Sequence, residues 1–317
     1  WNTRVTEILR KDNEIVGVRA SRTRGAPAER IYQAPAVVIA TGGFGSDLEL
    51  VRKYWSPNLP PPERLLIGSA QNATGTGLQL AASLGSALTR LDSQDIYVGG
   101  MPDPRDTRGD RGLQARNTAA IWVDSTGRRF TNEDAPGKVT ARAVLSKTPA
   151  TYWMIFDAHG REHFDLSGAA WLNTGTIAQE VLGNPAIVKA ADSVAALAAI
   201  AGLPPDALID TVQRYNLFIE QKSDTDFGRI GPGTAARTPP LIREPPFYAV
   251  QMFPMTRKSM GGIAIDELGR VLDRDRKPMP GLYACGEATG VAGINGSFGG
   301  SGTFLGPAVL TGRIAAR

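Results

Sequence analysis

Gly281-Leu282-Tyr283-Ala284-Cys285-Gly286-Glu287-Ala288-Thr289-Gly290, followed by Gly299-Gly300-Ser301-Gly302-Thr303-Phe304-Leu305-Gly306, decides how this chain is read. The apolar run Leu282 to Cys285 fits a strand buried on both faces. Glu287 stands at the end of that strand, where a carboxylate accepts hydrogen bonds from sugar-like hydroxyls; the alternative is a cap for its own loop. The glycines let backbone approach a ligand where a Cβ would collide. The helix expected after them presents unpaired N–H groups and the positive end of its dipole. Strand, carboxylate, glycine-rich loop and helix together suit a flat, polar cofactor with a phosphate tail.

A second wall of the same kind lies near the start. Ala36-Val37-Val38-Ile39-Ala40 reads as a buried strand, and it delivers Thr41-Gly42-Gly43-Phe44-Gly45. Ser46 or Asp47 then caps a helix over Leu48 to Tyr54. Asn72-Ala73-Thr74-Gly75-Thr76-Gly77 opens an apolar helix that ends at Gly85, and a turn of this type receives anions or carbonyl oxygens. Residues 2–9 and 14–21 alternate about the polar turn Arg10 to Glu14 and predict a hairpin. A further hairpin is expected over 262–272, with Ile263, Ile265, Val271 and Leu272 flanking Asp266 to Gly269.

The texture changes near residue 95. Gly99 to Gly112 reads as a loop, Ala119 to Asp124 as a strand, Arg128 to Phe130 as its return, and Thr151 to Asp157 as another strand. Asp192 is expected to cap a helix to Ala201. Pro204-Pro205 starts the next helix, with Leu208, Val212, Tyr215 and Phe218 on one face. The expected organisation is therefore 1–95 and 256–317 as two parts of a cofactor-binding domain, with an α+β unit over 96–255 inserted between them.

The 317 residues suffice for two domains. No apolar run reaches the length of a membrane span. With 35 basic and 31 acidic residues and no basic stripe, nucleic acid is excluded as a partner class. Cys285, the single cysteine, excludes an internal disulfide and a cysteine-only metal site, and fits a reducing, cytoplasmic setting. His159 and His163 have the spacing of a metal pair on a helix, but Gly160 weakens that helix and no further ligand pattern accompanies them, so no metal is expected.

Val38-Ile39-Ala40-Thr41-Gly42-Gly43-Phe44, Gly75-Thr76-Gly77-Leu78, Gly127-Arg128-Arg129-Phe130-Thr131-Asn132-Glu133, Met260-Gly261-Gly262-Ile263 and Pro280 to Gly290 occur in that order. The chain thereby resembles the FAD-dependent fumarate reductase and succinate dehydrogenase flavoprotein superfamily, which includes 3-ketosteroid dehydrogenases. The resemblance implies an α/β fold: a glutathione-reductase-type FAD domain with an inserted α+β capping domain. It implies FAD as the cofactor, with Val5 meeting the adenine through its backbone. Ala40, Thr41, Gly42 and Gly77 would line the pyrophosphate and ribityl region, and Gly286 and Glu287 would meet a sugar or ribityl hydroxyl. Ser301, Gly302, Thr303, Phe304 and Leu305 would face the flavin's pyrimidine carbonyl. Members of the superfamily also begin with a strand–GxGxxG–helix unit. No such run follows a strand here, so the FAD domain is expected to be N-terminally incomplete, its missing segment lost by truncation or supplied by another chain.

The implied chemistry is hydride movement between flavin N5 and a carbon–carbon bond beside a carbonyl. The resemblance places Arg116 at a relay arginine, Lys258 at the substrate-binding histidine, and Arg257, Ser259, Ser297 and Phe298 around the substrate. The proton-delivering arginine of fumarate reductases falls on Gly137, and the C-terminal loop arginine falls within Asn295 to Phe298, which has none. The glutamate partner of the relay falls on Leu113. The implied substrate is a small molecule with an activated carbon–carbon bond, less acidic than fumarate. Tyr97 and Tyr248 are either acids or core residues. The competing expectation is a non-catalytic or truncated fragment needing another segment or subunit to bind FAD. A nicotinamide dehydrogenase is disfavoured by the lack of a GxGxxG run after a strand.

Overall fold

A computed structural model describes residues 2–26, 28–231, 239–290 and 304–317. The chain divides into two compact units. The first comprises Trp1–Asn58, Ser69–Asp95 and Thr256–Arg317, and the second Leu59–Gly68 and Ile96–Met255. Among the described residues no helix is long and apolar enough to cross a membrane.

In the first unit, Thr3–Lys11, Glu14–Arg22 and Glu29–Gln33 form an antiparallel sheet. Asp12 and Asn13 turn the first hairpin with φ of 48° and 67°, the left-handed pair that a two-residue hairpin loop requires. A second sheet orders Arg270–Leu272, Pro278–Ala284 and Val37–Ile39. Its last two strands are parallel, with Leu282 opposite Val37 and Ala284 opposite Ile39. Leu282 and Ala284 are fully buried. The expectation of burial for Ala36 to Ala40 is corrected: Ile39 is buried but Val38 is 45% exposed. The strand lies at the sheet's edge, and period-two alternation sends only one of the two side chains inward.

Helix Leu48–Lys53 is capped by Asp47, whose carboxylate accepts the Leu50 N–H at 3.0 Å. Helix Thr76–Ser83 begins after Gly75, at φ 70°, and Gly85 follows its end at φ 86°. Ile265 bridges Val271 across a turn in which Asp266 accepts the N–H groups of Leu268 and Arg270.

The second unit is built on an eight-stranded sheet. Tyr152–Phe156 pairs antiparallel with both Ile121–Val123 and Phe247–Ser259. Its alternate residues feed two cores: Tyr152, Met154 and Phe156 enter one, and Ile155 enters the other. Helix Pro205–Gln221 has Pro205 in its first turn, and buries Leu208, Val212, Tyr215 and Phe218 against that second core.

Three further local expectations are corrected. Gly99 and Gly100 lie within the strand Gln94–Pro102 and not in a loop. A Cβ on Gly99 would stand 2.8 Å from Ala115 O, and one on Gly100 would stand 2.6 Å from Phe253 O, so these glycines serve close strand packing. Arg128 to Phe130 forms no strand, only the bridge Val123 to Arg129. Ser193, not Asp192, caps Val194–Ala201, because its hydroxyl sits in register to accept the Ala196 N–H. Of the two alternatives for Tyr248, the structure bears out the core residue: it is stacked on Phe156 with ring centroids 5.2 Å apart.

Ion pairs in this unit form a largely buried network around Arg129 and Arg229. Arg129 binds Glu133 at 2.8 Å and Asp224 at 3.0 Å. Arg229 binds Asp134 at 2.9 Å and donates to the carbonyls of Ala120 and Thr118. Burial opposes the charge on Asp224, but the Arg129 hydrogen bond and charge outweigh it and hold the carboxyl below its ordinary range.

Candidate active site in the first unit

The parallel strands Val37–Ile39 and Pro278–Ala284 end together. The Cys285 N–H donates to Ile39 O at 3.0 Å, and beyond that bond the two chains leave on the same side. Ligands of open α/β sheets sit at such carboxyl ends. One chain continues as Ala40-Thr41-Gly42-Gly43, and the other as the 3₁₀ turn Gly286–Thr289.

A third segment ties these loops to each other. Ser259 closes the strand Phe247–Ser259, and its backbone N–H donates to Glu287 Oε1 at 3.0 Å. The Ser259 hydroxyl accepts the Phe44 N–H at 3.0 Å. A Cβ on Gly43 would overlap Glu287 Oε1 and Ser259 Oγ, so only glycine fits at this junction. Behind it, Thr256 Oγ1 donates to Gly45 O at 2.6 Å and Ser69 Oγ donates to Arg257 O at 2.7 Å.

The carboxylate of Glu287 is thus partly committed to the fold, as the cap-like alternative anticipates, while its second oxygen is not used by that bond. Ala40 and Thr41 are exposed, and Gly42 has φ 74° with nothing within 4 Å of the place a Cβ would occupy. This open, polar strand end fits a ligand with hydroxyl and phosphate groups. Gly77 has a different role: a Cβ there would overlap Thr41 Oγ1 and stand 2.7 Å from Ile39 Cγ2. It lets the helix start pack on the strand end and shapes the cradle indirectly.

Helix Leu305–Ala315 is anchored at Thr311, whose hydroxyl accepts the Gly286 N–H at 2.9 Å and donates to Pro307 O. Phe304 precedes it, with Lys258 Nζ 4.1 Å from the centre of its ring. Leu305 is 72% exposed. Burial raises the Glu287 carboxyl against the lowering effects of the Ser259 N–H, Lys258 and Arg257. Burial likewise raises the Cys285 thiol, which disfavours the reactive thiolate.

The fold therefore brings Thr41, Gly42, Gly286, Glu287, Lys258, Ser259, Phe304 and the packing glycine Gly77 into one unit. Val5 lies in that unit too, half-buried in the first hairpin opposite Ala20 and beside a register shift. Arg116 belongs to the second unit, where it is exposed. Its guanidinium donates to the Gln114 side-chain oxygen at 2.9 and 3.1 Å, with that amide oriented to accept, and Asp165 pairs with it on the next strand. Ser297, Phe298, Ser301, Gly302 and Thr303 lie outside the described residues. His159 and His163 flank a short 3₁₀ turn with ring centroids 5.5 Å apart, and among the described residues no group of three metal-ligating side chains occurs.

Sequence reasoning missed Asp95, which is 4% exposed and lies under the influence of Lys258, Arg257 and Glu287. Burial pushes its carboxyl up to about 6. The available signal was an acidic residue directly before the apolar strand run Ile96-Tyr97-Val98.

The FAD binding domain family matches residues 1–305. A fumarate reductase (cytochrome) of Shewanella frigidimarina is 30% identical over 322 residues, covering 99% of this chain and 50% of that protein. A 3-oxosteroid 1-dehydrogenase of Mycobacterium tuberculosis is 29% identical over 348 residues, covering 99% of this chain and 58% of that protein. The solved open conformation of a flavocytochrome c3 fumarate reductase superposes with a TM-score of 0.74 at 27% identity, covering 99% of this chain and 50% of that one. The chain thus spans about half the length of the curated relatives it matches. It belongs to the FAD binding domain family, with FAD as the family's cofactor and a mixed α/β fold like that of the flavocytochrome.

Proposed function

We propose that this family member is an FAD-dependent oxidoreductase that oxidises or reduces a carbon–carbon bond beside a carbonyl. The observation that carries the reading is the junction of Gly43, Ser259 and Glu287 at the shared carboxyl end of two parallel strands. In this reading the first unit is a glutathione-reductase-type FAD domain and the second an inserted capping domain. Fumarate reductase and steroid dehydrogenase activities among the relatives support the reaction class. FAD, when bound, supplies hydride chemistry at N5.

The chain's own residues supply the rest. Ala40, Thr41 and Gly42 give an open backbone approach for the pyrophosphate and ribityl chain. Glu287 holds its carboxylate for a sugar or ribityl hydroxyl through its second oxygen, with the first fixed by Ser259. The start of helix Leu305–Ala315 would offer its positive end to a carbonyl of the cofactor. Lys258 and Arg257 place positive charge for a substrate oxygen, so that electron density drawn onto a carbonyl is stabilised. Arg116 is assigned to proton transfer, and Ser297 to the substrate loop, on the resemblance alone.

A second reading, in which another segment or subunit completes the FAD site, is favoured by exposed apolar side chains in the first unit. Val38 is 45% exposed, Val309 56% and Leu310 60%. A visible absorbance spectrum of the purified protein tests both. A flavin spectrum bleached by anaerobic dithionite and restored by an enone or enoate supports the first reading. Flavin retention only after a second polypeptide is added supports the second, and protein that takes up no flavin under either condition defeats both.

A further inference from the structure

Asp95 sits at the second position of the strand Gln94–Pro102. The side chain of Gln94 turns to the carbonyls of Val51 and Tyr54, at 3.1 and 2.9 Å, and strand alternation sends Asp95 to the opposite face. There Asp95 is 4% exposed, and its Oδ2 has no hydrogen-bond partner among the described residues. The segment is fixed beside the end of strand Phe247–Ser259, because the Met260 N–H donates to Ser93 O at 2.9 Å. The charged groups that act on Asp95 are Lys258 and Arg257 from that strand and Glu287 from the turn after Pro278–Ala284.

We propose that Asp95 is a positioning residue for Lys258: ionised, it neutralises the ammonium internally, and protonated, it releases that ammonium to an anionic or carbonyl oxygen of the ligand. The charge balance supports this. With Asp95 and Glu287 both ionised, two carboxylates face two cations, Arg257 and Lys258. One proton on Asp95 leaves the group with an excess positive charge at the Lys258–Phe304 contact. A buried carboxylate with an unused oxygen is costly unless it is coupled to something that changes. Burial, opposed by the two cations and aided by Glu287, sets the carboxyl at about 6, so the release falls in the weakly acidic range. The inference rests on the reading of Lys258 as a substrate-facing cation and narrows the substrate class to molecules with an oxygen that carries or develops negative charge.

Sulfate is the probe, because its charge is constant between about pH 5 and about pH 8, a window that lies above the ordinary carboxylate range and contains the Asp95 titration at about 6. Calorimetric titration of the flavin-loaded protein is expected to show sulfate binding on the order of tenfold tighter at the lower pH, the scale of one unit charge at short range. Asp95→Asn is expected to hold the tight value at both pH values, Asp95→Glu to keep the slope, and Lys258→Gln to lose binding at both. An unchanged slope in Asp95→Asn assigns it to Glu287 and overturns the proposal, as does tight binding by Lys258→Gln. Should Asp95→Asn fail to fold, Asp95→Glu decides by the midpoint of the slope, which is expected to move; an unmoved midpoint assigns the slope to Glu287 and overturns the proposal. A protein that holds no flavin, yet shows the slope and loses it in Asp95→Asn, defeats the redox reading and leaves the Asp95 assignment standing.

Discussion

The two units treat buried carboxylates in opposite ways. In the second unit, Asp224 is matched by Arg129, and its neighbour Arg229 is satisfied by Asp134 and two carbonyls, so the acid there is held down and charged. In the first unit, Asp95 and Glu287 are both pushed up by burial, and the cations beside them do not compensate. In the second unit each acid of the network is ion-paired, although Arg129 Nη1 has no hydrogen-bond partner among the described residues. An acid held without such a pair, as Asp95 is at Oδ2, leaves a demand that a ligand can answer, and perturbed acids of this kind cluster at functional sites. The contrast separates a structural use of charge from a functional one within a single chain.

The largest effect that probes this contrast comes from breaking the ion-paired side. Arg229→Met leaves Asp134 and the carbonyls of Ala120 and Thr118 without their donor, and is expected to cost about 3–5 kcal/mol in urea unfolding, the usual loss when one member of a buried ion network is removed. A loss near zero would show that the network is replaceable.

Next is the pH dependence. The Asp95 carboxyl is higher in the folded chain, about 6, than its ordinary 3.8. Its contribution to stability is therefore complete below the ordinary value and is lost as pH rises through about 6, by about 3 kcal/mol at most. Asp224 is displaced the other way, so its contribution is present above the ordinary carboxylate range and is lost as pH falls through its lowered value. Thermal unfolding across this range should show both limbs, and Asp95→Asn should shrink the upper one, leaving the part that Glu287 carries, without changing the lower.

Smaller effects discriminate within the glycine turn. A methyl on Gly43 strikes Glu287 and Ser259, so Gly43→Ala is expected to cost about 1–3 kcal/mol through overpacking. Gly42→Ala meets no atom within 4 Å and is expected to cost about 1 kcal/mol through its left-handed φ alone. Arg116→Ala, on an exposed strand position, should change stability by no more than about 0.5 kcal/mol, so that any loss of turnover it produces reports on chemistry and not on folding.

Much of the local structure was legible because it follows periodicity and capping chemistry. The apolar alternation of the first hairpin, the helix over Pro205–Gln221, the Asp47 cap and the strand ending at Ala284 all arise from neighbours in sequence. The glycines at 99 and 100 were misread because a strand glycine and a loop glycine look alike until the opposing carbonyls of Ala115 and Phe253 are known. Val38 was misread because burial on a second face depends on sheet order. At the site, the strand-end carboxylate Glu287 and the Gly42-Gly43 turn were visible as residue types. Their link through Ser259 was not, since Phe44 and Ser259 are 215 residues apart. Asp95 and the Arg129–Asp224 pair, 95 residues apart, were hidden for the same reason: no local pattern says which buried charges will meet.

The proposed function places the flavin against the Gly43–Ser259–Glu287 junction. Its most direct test is FAD affinity, followed by flavin fluorescence, for the protein and for Glu287→Ala with unfolding monitored in parallel. Flavin is expected to bind the unaltered protein and to bind the variant at least about tenfold more weakly, the scale of one hydrogen bond to a charged group, with the second unit's unfolding unchanged. Equal flavin affinity in the two proteins would contradict it.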